Sequence, residues 1–115
     1  MQYMLMIHSN ENGFASLTKE QIEQAMGAYT SYTEALRKAG VLVSSNRLQP
    51  VSAATTVRLA DGKTQVLNGP YAETKEQIGG YYLIEASDLD GAISWASRCP
   101  GASHGTVEIR PVWPM

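Results

Sequence analysis

The chain has 115 residues, with 9 Lys and Arg against 11 Asp and Glu for a formal charge of -2, a length that fits one domain over residues 1–115 and excludes two. Its 43% hydrophobic and 17% charged content excludes a disordered chain, which needs low hydropathy and high net charge. The lone cysteine, Cys99, excludes an internal disulfide, and no metal-ligand spacing accompanies it.

A slightly acidic balance without a basic cluster removes the attraction that dominates nucleic-acid binding, so no direct nucleic-acid partner is expected. The first basic residue is Lys19, and the apolar run Met4 to Ile7 is broken by His8 and Ser9. Neither a signal peptide nor a membrane span is therefore expected, and a cytoplasmic location fits.

Tyr3 to Ile7 is apolar at both parities and too short for a helix, the pattern of a central strand covered on both faces. Ser9 to Gly13 reads as a turn. Thr18 with Gln21 forms a capping box, Leu17 is placed to staple against Ile22, and a helix follows whose inner stripe is Ile22, Met26, Tyr29, Thr33 and Leu36, ending at Ala39 or Gly40. Val41 to about Leu48 is a second strand, stopped by Pro50. Thr55–Leu59 and Lys63–Leu67 flank Asp61-Gly62, which supplies the positive φ angles of a two-residue hairpin turn. After the Asn68-Gly69-Pro70 turn, a strand begins near Gly80, and the Gly79-Gly80 pair allows a close backbone approach or a bulge. Ser87 with Asp90 caps a second helix whose inner stripe is Leu89, Ala92, Ile93, Ala96 and Cys99. Val107 and Ile109 alternate with Thr106, Glu108 and Arg110 in a final half-buried strand.

The order strand, helix, strand, hairpin, strand, helix, strand is a split βαβ pattern with an inserted β-hairpin, hence an α+β, ferredoxin-like fold. Both helices then lie on one face of an antiparallel sheet. The two-sided apolar first strand calls for cover on the other face, and a second copy of the sheet supplies it, so a homodimer is expected.

Asn68-Gly69-Pro70-Tyr71-Ala72-Glu73-Thr74-Lys75-Glu76-Gln77-Ile78-Gly79-Gly80-Tyr81-Tyr82 resembles the signature of the DGPFAETKE family of YCII-related proteins. Tyr3-Met4-Leu5-Met6-Ile7, Ala39-Gly40-Val41-Leu42, and the stretches Ala96–Gly101 and His104–Pro111 resemble it too, so the likeness covers nearly the whole chain. Asn68 stands where the family has Asp, and Tyr71 where it has Phe. The resemblance implies a ferredoxin-like fold paired into a dimeric α+β barrel. Members are often encoded beside or fused to sigma factors of the extracytoplasmic-function type, which implies a regulatory or interaction module with a transcription-regulator partner. More distant relatives are suspected of enzymatic activity through a His/Asp pair, which implies the alternative: a small-molecule binder or enzyme using a cleft at the dimer interface.

Two groups of residues can carry chemistry. The last strand of this topology runs antiparallel beside the first, bringing His104 towards His8 as a pair for acid/base work, since imidazole titrates near neutral pH. Satisfied loop or dimer-contact histidines are the competing reading. At the opposite end of the first strand the reading gathers Tyr81, on a neighbour taken as parallel, with Arg110, Glu73, Lys75 and Glu76. There Arg110, Lys75 and Tyr81 would bind a small polar or anionic ligand and Glu73 would serve as a base, against the alternative of an ion-pair network fastening that segment. Neither metal nor cofactor is expected. Cys99, on the helix's apolar stripe, reads as a buried inert thiol.

Overall fold

The computed structural model describes residues 1–114, apart from the side chain of Phe14. In chain order the elements are β1 (Gln2–Ser9), α1 (Glu11–Ala15), α2 (Lys19–Lys38), β2 (Leu42–Arg47), β3 (Thr55–Ala60), β4 (Lys63–Asn68), β5 (Gln77–Glu85), α3 (Leu89–Arg98) and β6 (Thr106–Pro111), with 3-10 turns at Val51–Ala53 and Pro100–Ser103. The main sheet runs β2-β5-β1-β6 with every neighbouring pair antiparallel, and β3 and β4 form a separate two-stranded sheet.

Alternation along β1 decides what each face does. Tyr3, Leu5 and Ile7 are buried, and they pack with Tyr32 and Leu36 of α2, Tyr82 and Ile84 of β5, and Ala92 and Ala96 of α3. Met4, Met6 and His8 have the opposite parity and are only partly buried. The helices therefore cover one face, and within one chain the other stays open, where the two-sided apolar pattern calls for cover.

Local chemistry sets the helix ends. Thr18 Oγ1 accepts from Gln21 N at 3.1 Å while Gln21 Oε1 accepts from Thr18 N at 2.9 Å, closing the capping box expected from the sequence. For α3 the cap is Asp88, not Ser87, and its carboxylate accepts from Gly91 N at 2.9 Å. A carboxylate outranks a hydroxyl there because its charge also complements the helix N-terminus. The stretch expected as a plain turn after β1 contains α1. On α2 the inner stripe includes Tyr32, which the sequence reading omitted, whereas Met26 is exposed. On α3 Leu89 and Ile93 are exposed while Ala92, Ala96 and Cys99 are buried.

Tyrosines organise the helix–sheet seam. The Tyr32 ring meets Tyr82 edge-on at 5.1 Å, and its hydroxyl donates to the Trp95 carbonyl at 2.7 Å. Thr33 Oγ1 and the Tyr82 hydroxyl share a 2.8 Å bond. Arg98 caps the seam from outside, its guanidinium carbon 4.4 Å from the Trp95 ring centre. Burial, then the neighbouring Cys99 and Tyr82, push the Tyr29 hydroxyl from 10.0 up to about 12, against the opposing pull of Arg47. Burial drives Tyr32 further in the same direction. An unfolded chain ionises Tyr29 near pH 10 while the folded chain keeps the proton. Its contribution to stability is thus complete below that pH and is lost as pH rises towards about 12. Thermal unfolding followed between these limits should show a steeper fall in midpoint for the native chain than for Tyr29→Phe; equal slopes would count against this linkage.

The hairpin turns at Asp61 (φ 50°) and Gly62 (φ 77°), the two positive angles that a type I′ connection demands. It stands off the core. Val57, Leu59 and Val66 are 64%, 69% and 59% exposed, and register places all three on one face. The radius of gyration, 16.1 Å, exceeds the ~13 Å of a compact chain of this length accordingly. Replacing Val57–Val66 by a short Gly linker should leave the main transition within about 0.5 kcal/mol, whereas Leu36→Ala should cost about 2–5 kcal/mol. Chemical denaturation followed by circular dichroism checks both, and loss of folding on hairpin removal would put the hairpin within the core.

Candidate functional site

His8 lies near the end of β1 on the open face, and β6 runs antiparallel beside it with Thr106 opposite His8 and Glu108 opposite Met6. Glu108 is thus the diagonal neighbour of His8. Its Oε1 is 3.0 Å from His8 Nε2. Alongside, Thr106 Oγ1 donates to Glu76 Oε1 at 2.9 Å, so β6 also ties down the segment that leads into β5. His8, Thr74, Glu76, Thr106 and Glu108 line one shallow depression.

The backbone holds this corner closely. A Cβ on Gly105 would lie 2.2 Å from the His8 carbonyl oxygen, so no other residue lets β6 start so near the end of β1. Between Ile7 and His8 the β1–β5 register skips from Gly80 to Ile78, leaving Gly79 as the extra residue of a bulge. Gly80 also runs tight against β2, where a Cβ would sit 2.9 Å from the Asn46 carbonyl oxygen. The glycine pair therefore supplies both the bulge and the close approach expected of it.

With Glu108 accepting from Nε2–H, the neutral His8 ring keeps its lone pair on Nδ1. A carboxylate on one ring nitrogen fixes the tautomer and stabilises the imidazolium formed when the other takes a proton. Both side chains are partly exposed, so the pair orients the ring more than it stabilises the fold.

The expected constellations are rearranged. His104 is exposed at the end of the Pro100–Ser103 turn, near the end of β1 as topology required, yet the His8 ring engages Glu108 and not His104. The second cluster does not assemble because β5 runs antiparallel to β1, not parallel. Tyr81 pairs with Met6 and accepts from Asn46 Nδ2 at 2.9 Å, while Arg110 pairs with Met4 nearer the start of β1. Glu73 and Lys75 precede Gln77, which pairs with Ser9 at the far end, so the strand separates them from Arg110 by roughly 15 Å at 3.3 Å per residue. Glu108 and Glu76 are the polar partners that the sequence reading did not place beside His8. Alternation of Thr106, Glu108 and Arg110 beside an antiparallel His8 was the signal for Glu108. Among the described residues, no group of three or more His, Cys, Asp or Glu side chains is placed to hold a metal ion.

A second concavity opens on the helix-covered side of the same sheet end. It has a volume of about 470 Å³ and lies between α2 and the ends of β2 and β5, with Met26, Tyr29, Arg47, Leu48 and Pro50 in its wall. Cys99 is buried and burial raises its thiol, as an inert core cysteine requires.

Compared with known proteins, residues 1–115 match the family model of the YCII-related domain. The chain belongs to the YCII-related family. This YCII-related chain is 37% identical over 114 residues to an uncharacterized protein of Rhizobium meliloti (strain 1021), covering 97% of itself and 92% of that relative. Among solved structures it is similar to the 5-chloro-2-hydroxyhydroquinone dehydrochlorinase of Burkholderia phenoliruptrix AC1100 in complex with 2,5-dihydroxybenzoquinone, with a TM-score of 0.60, 11% identity, and coverage of 98% and 94% of the two chains. That likeness shows a shared mixed α+β fold with an antiparallel sheet.

Gly105→Ala should destabilise this YCII-related chain by about 1–3 kcal/mol and broaden the His8 ring signals in NMR spectra, since relief of the clash moves β6 and Glu108 with it. Unchanged stability and unchanged His8 signals would show that β6 starts elsewhere.

Proposed function

We propose that the chain is a small-molecule-binding protein whose His8–Glu108 pair performs proton transfer on a small, polar, hydroxylated organic substrate at the open sheet face. One observation carries this reading: the 3.0 Å bond from the only histidine on β1 to a carboxylate on the adjoining strand, beside a depression edged by Thr74, Glu76 and Thr106. Proton transfer is the step that such a pair can perform without a cofactor, His8 Nδ1 taking the proton while Glu108 balances the imidazolium. The chemistry of the similarly folded dehydrochlorinase, which handles a chlorinated hydroxyhydroquinone, is a guide to substrate class. The ferredoxin-like, dimeric α+β barrel arrangement belongs to the same reading. Met4, Met6 and Leu83 alternate on the open face, and a second copy set against them turns the shallow depression into an enclosed, water-poor cleft. A cytoplasmic location belongs to the same reading; among the described residues no helix is long and apolar enough to cross a membrane.

A second reading, a non-catalytic module acting with a transcription regulator, draws on the exposed apolar strip of the hairpin at Val57, Leu59 and Val66.

The two readings part on one experiment. A panel of hydroxylated and halogenated aromatics is screened by thermal shift and by proton or halide release, with sedimentation run in parallel. A binder at a hundred times its dissociation constant adds about 2.7 kcal/mol. His8→Ala should slow turnover about 10²–10⁴-fold, Glu108→Gln by a smaller factor, and Leu83→Glu should give monomers with lost activity. Turnover that survives His8→Ala would remove the acid/base role, and binding or turnover by no compound would favour the module.

A further inference from the structure

Two threonines at the edge of the His8 depression have already spent their protons. Thr106 Oγ1 donates to Glu76 Oε1 at 2.9 Å, and Thr74 Oγ1 donates to the Glu76 backbone carbonyl. A hydroxyl has one proton to give, so both threonines have only lone pairs left to offer. Glu76 and Glu108 are acceptors as carboxylates, and the neutral His8 ring, with its Nε2–H on Glu108, presents the Nδ1 lone pair. The side chains lining the depression, His8, Thr74, Glu76, Thr106 and Glu108, therefore meet a ligand as acceptors. Lys75 and Arg110, the cations closest along the chain, are not among them.

Strand geometry brings these acceptors together. Thr106 stands opposite His8 across the β1–β6 ladder, so the two side chains start about 4.5–5.5 Å apart on one face. Glu76 belongs to the segment entering β5 on the other side of β1, and its bond to Thr106 carries its carboxylate across the end of β1. Gln77 holds that segment in shape, its amide nitrogen donating to the Ala72 and Thr74 carbonyls at 3.1 and 3.2 Å. Among the described residues Thr106 is the one hydrogen-bond partner of the Glu76 carboxylate, which leaves Oε2 for a ligand.

Charge and donor count then select that ligand. An anion would meet two carboxylates with no cation in the lining, whereas hydroxyl protons would find charge-assisted acceptors. We infer that Glu76 is a specificity-determining residue of the open-face site, which takes an uncharged molecule carrying two hydroxyl donors on neighbouring carbons, one on His8 Nδ1 and the other on Glu76 Oε2. The inference rests on the reading of His8 with Glu108 as the reactive pair, and it excludes the anionic ligands that Lys75 and Arg110 would have suited.

The test titrates the full chain, followed by NMR, with catechol, with guaiacol, in which one hydroxyl is methylated, and with salicylate, in which one hydroxyl is replaced by a carboxylate. Catechol should move the Glu76 and Thr106 amide signals and the His8 ring signals, and saturate below about 10 mM. Guaiacol should bind at least fivefold more weakly and salicylate at least tenfold. Glu76→Gln keeps an oxygen for Thr106 and replaces the free oxygen by an amide donor, so catechol should weaken at least tenfold while salicylate tightens. A residue that only braced the strand end would weaken all three probes alike. If Glu76→Gln fails to fold by circular dichroism, Glu76→Asp answers in its place, with catechol at least threefold weaker and salicylate still rejected. No saturable catechol shift at these signals, salicylate bound as tightly as catechol by the native chain, or equal losses for the three probes in the Glu76 variant would overturn the inference. Turnover that survives His8→Ala with salicylate still rejected would remove the proton-transfer role alone and leave the selection by Glu76 standing.

Discussion

Everything in this fold depends on β1 being paired along both edges. With β5 on one side and β6 on the other, its backbone groups are spent in the sheet, and only the two faces remain to be managed. Alternation divides the work. Tyr3, Leu5 and Ile7 anchor α2 and α3, while Met4, Met6 and His8 face outwards from the same eight-residue strand. Core and candidate site are therefore one element, and the histidine inherits the rigidity of the strand from which it projects. A side chain on a central strand is positioned more firmly than one on a loop, where ordering the backbone would have to be repeated on binding.

The same strand end explains why polar chemistry concentrates there. Charged residues are sparse, and neither Glu73 with Lys75 nor Arg110 finds the others, because antiparallel pairing sends the two groups to opposite ends of β1. What meets at the end of β1 is set by strand geometry: the start of β6, the start of β5 and the end of β2. Diagonal neighbours across an antiparallel pair sit within reach of long side chains, and that is how a glutamate two residues beyond Thr106 reaches a histidine.

Most of the architecture was legible because it rests on local chemistry. Thr18 with Gln21, and Asp61 with Gly62, each impose one backbone geometry irrespective of what surrounds them, and both stand where the sequence placed them. The site was less legible because it rests on direction and register. Taking β5 as parallel to β1 moved Tyr81 to the wrong end of the strand, and a single such inversion displaces every partner along it. Ser87 was read as the cap of α3, but the helix starts one residue later and Asp88 takes that position. The cavity under α2 carried no sequence signal at all, since Met26, Arg47 and Pro50 come from three separate segments that only tertiary packing brings together.

Ile7 and His8 are consecutive, yet one lines the cavity under α2 and the other faces the open sheet. The peptide between them is where the Gly79 bulge falls. An uninterrupted ladder would hold Gly79, not Ile78, opposite His8, and the side chains of β5 beyond that point would exchange faces. The bulge thus lets Ile78 share the open face with His8 while Tyr82 and Ile84 still reach the core. Gly80 cannot drift to relieve any strain there, because β2 presses against it at the Asn46 carbonyl, and Gly105 is held as tightly on the other side of β1. Two close backbone approaches, Gly80 against β2 and Gly105 against the end of β1, hold the strand end from which His8 projects, and its ring meets Glu108 at 3.0 Å.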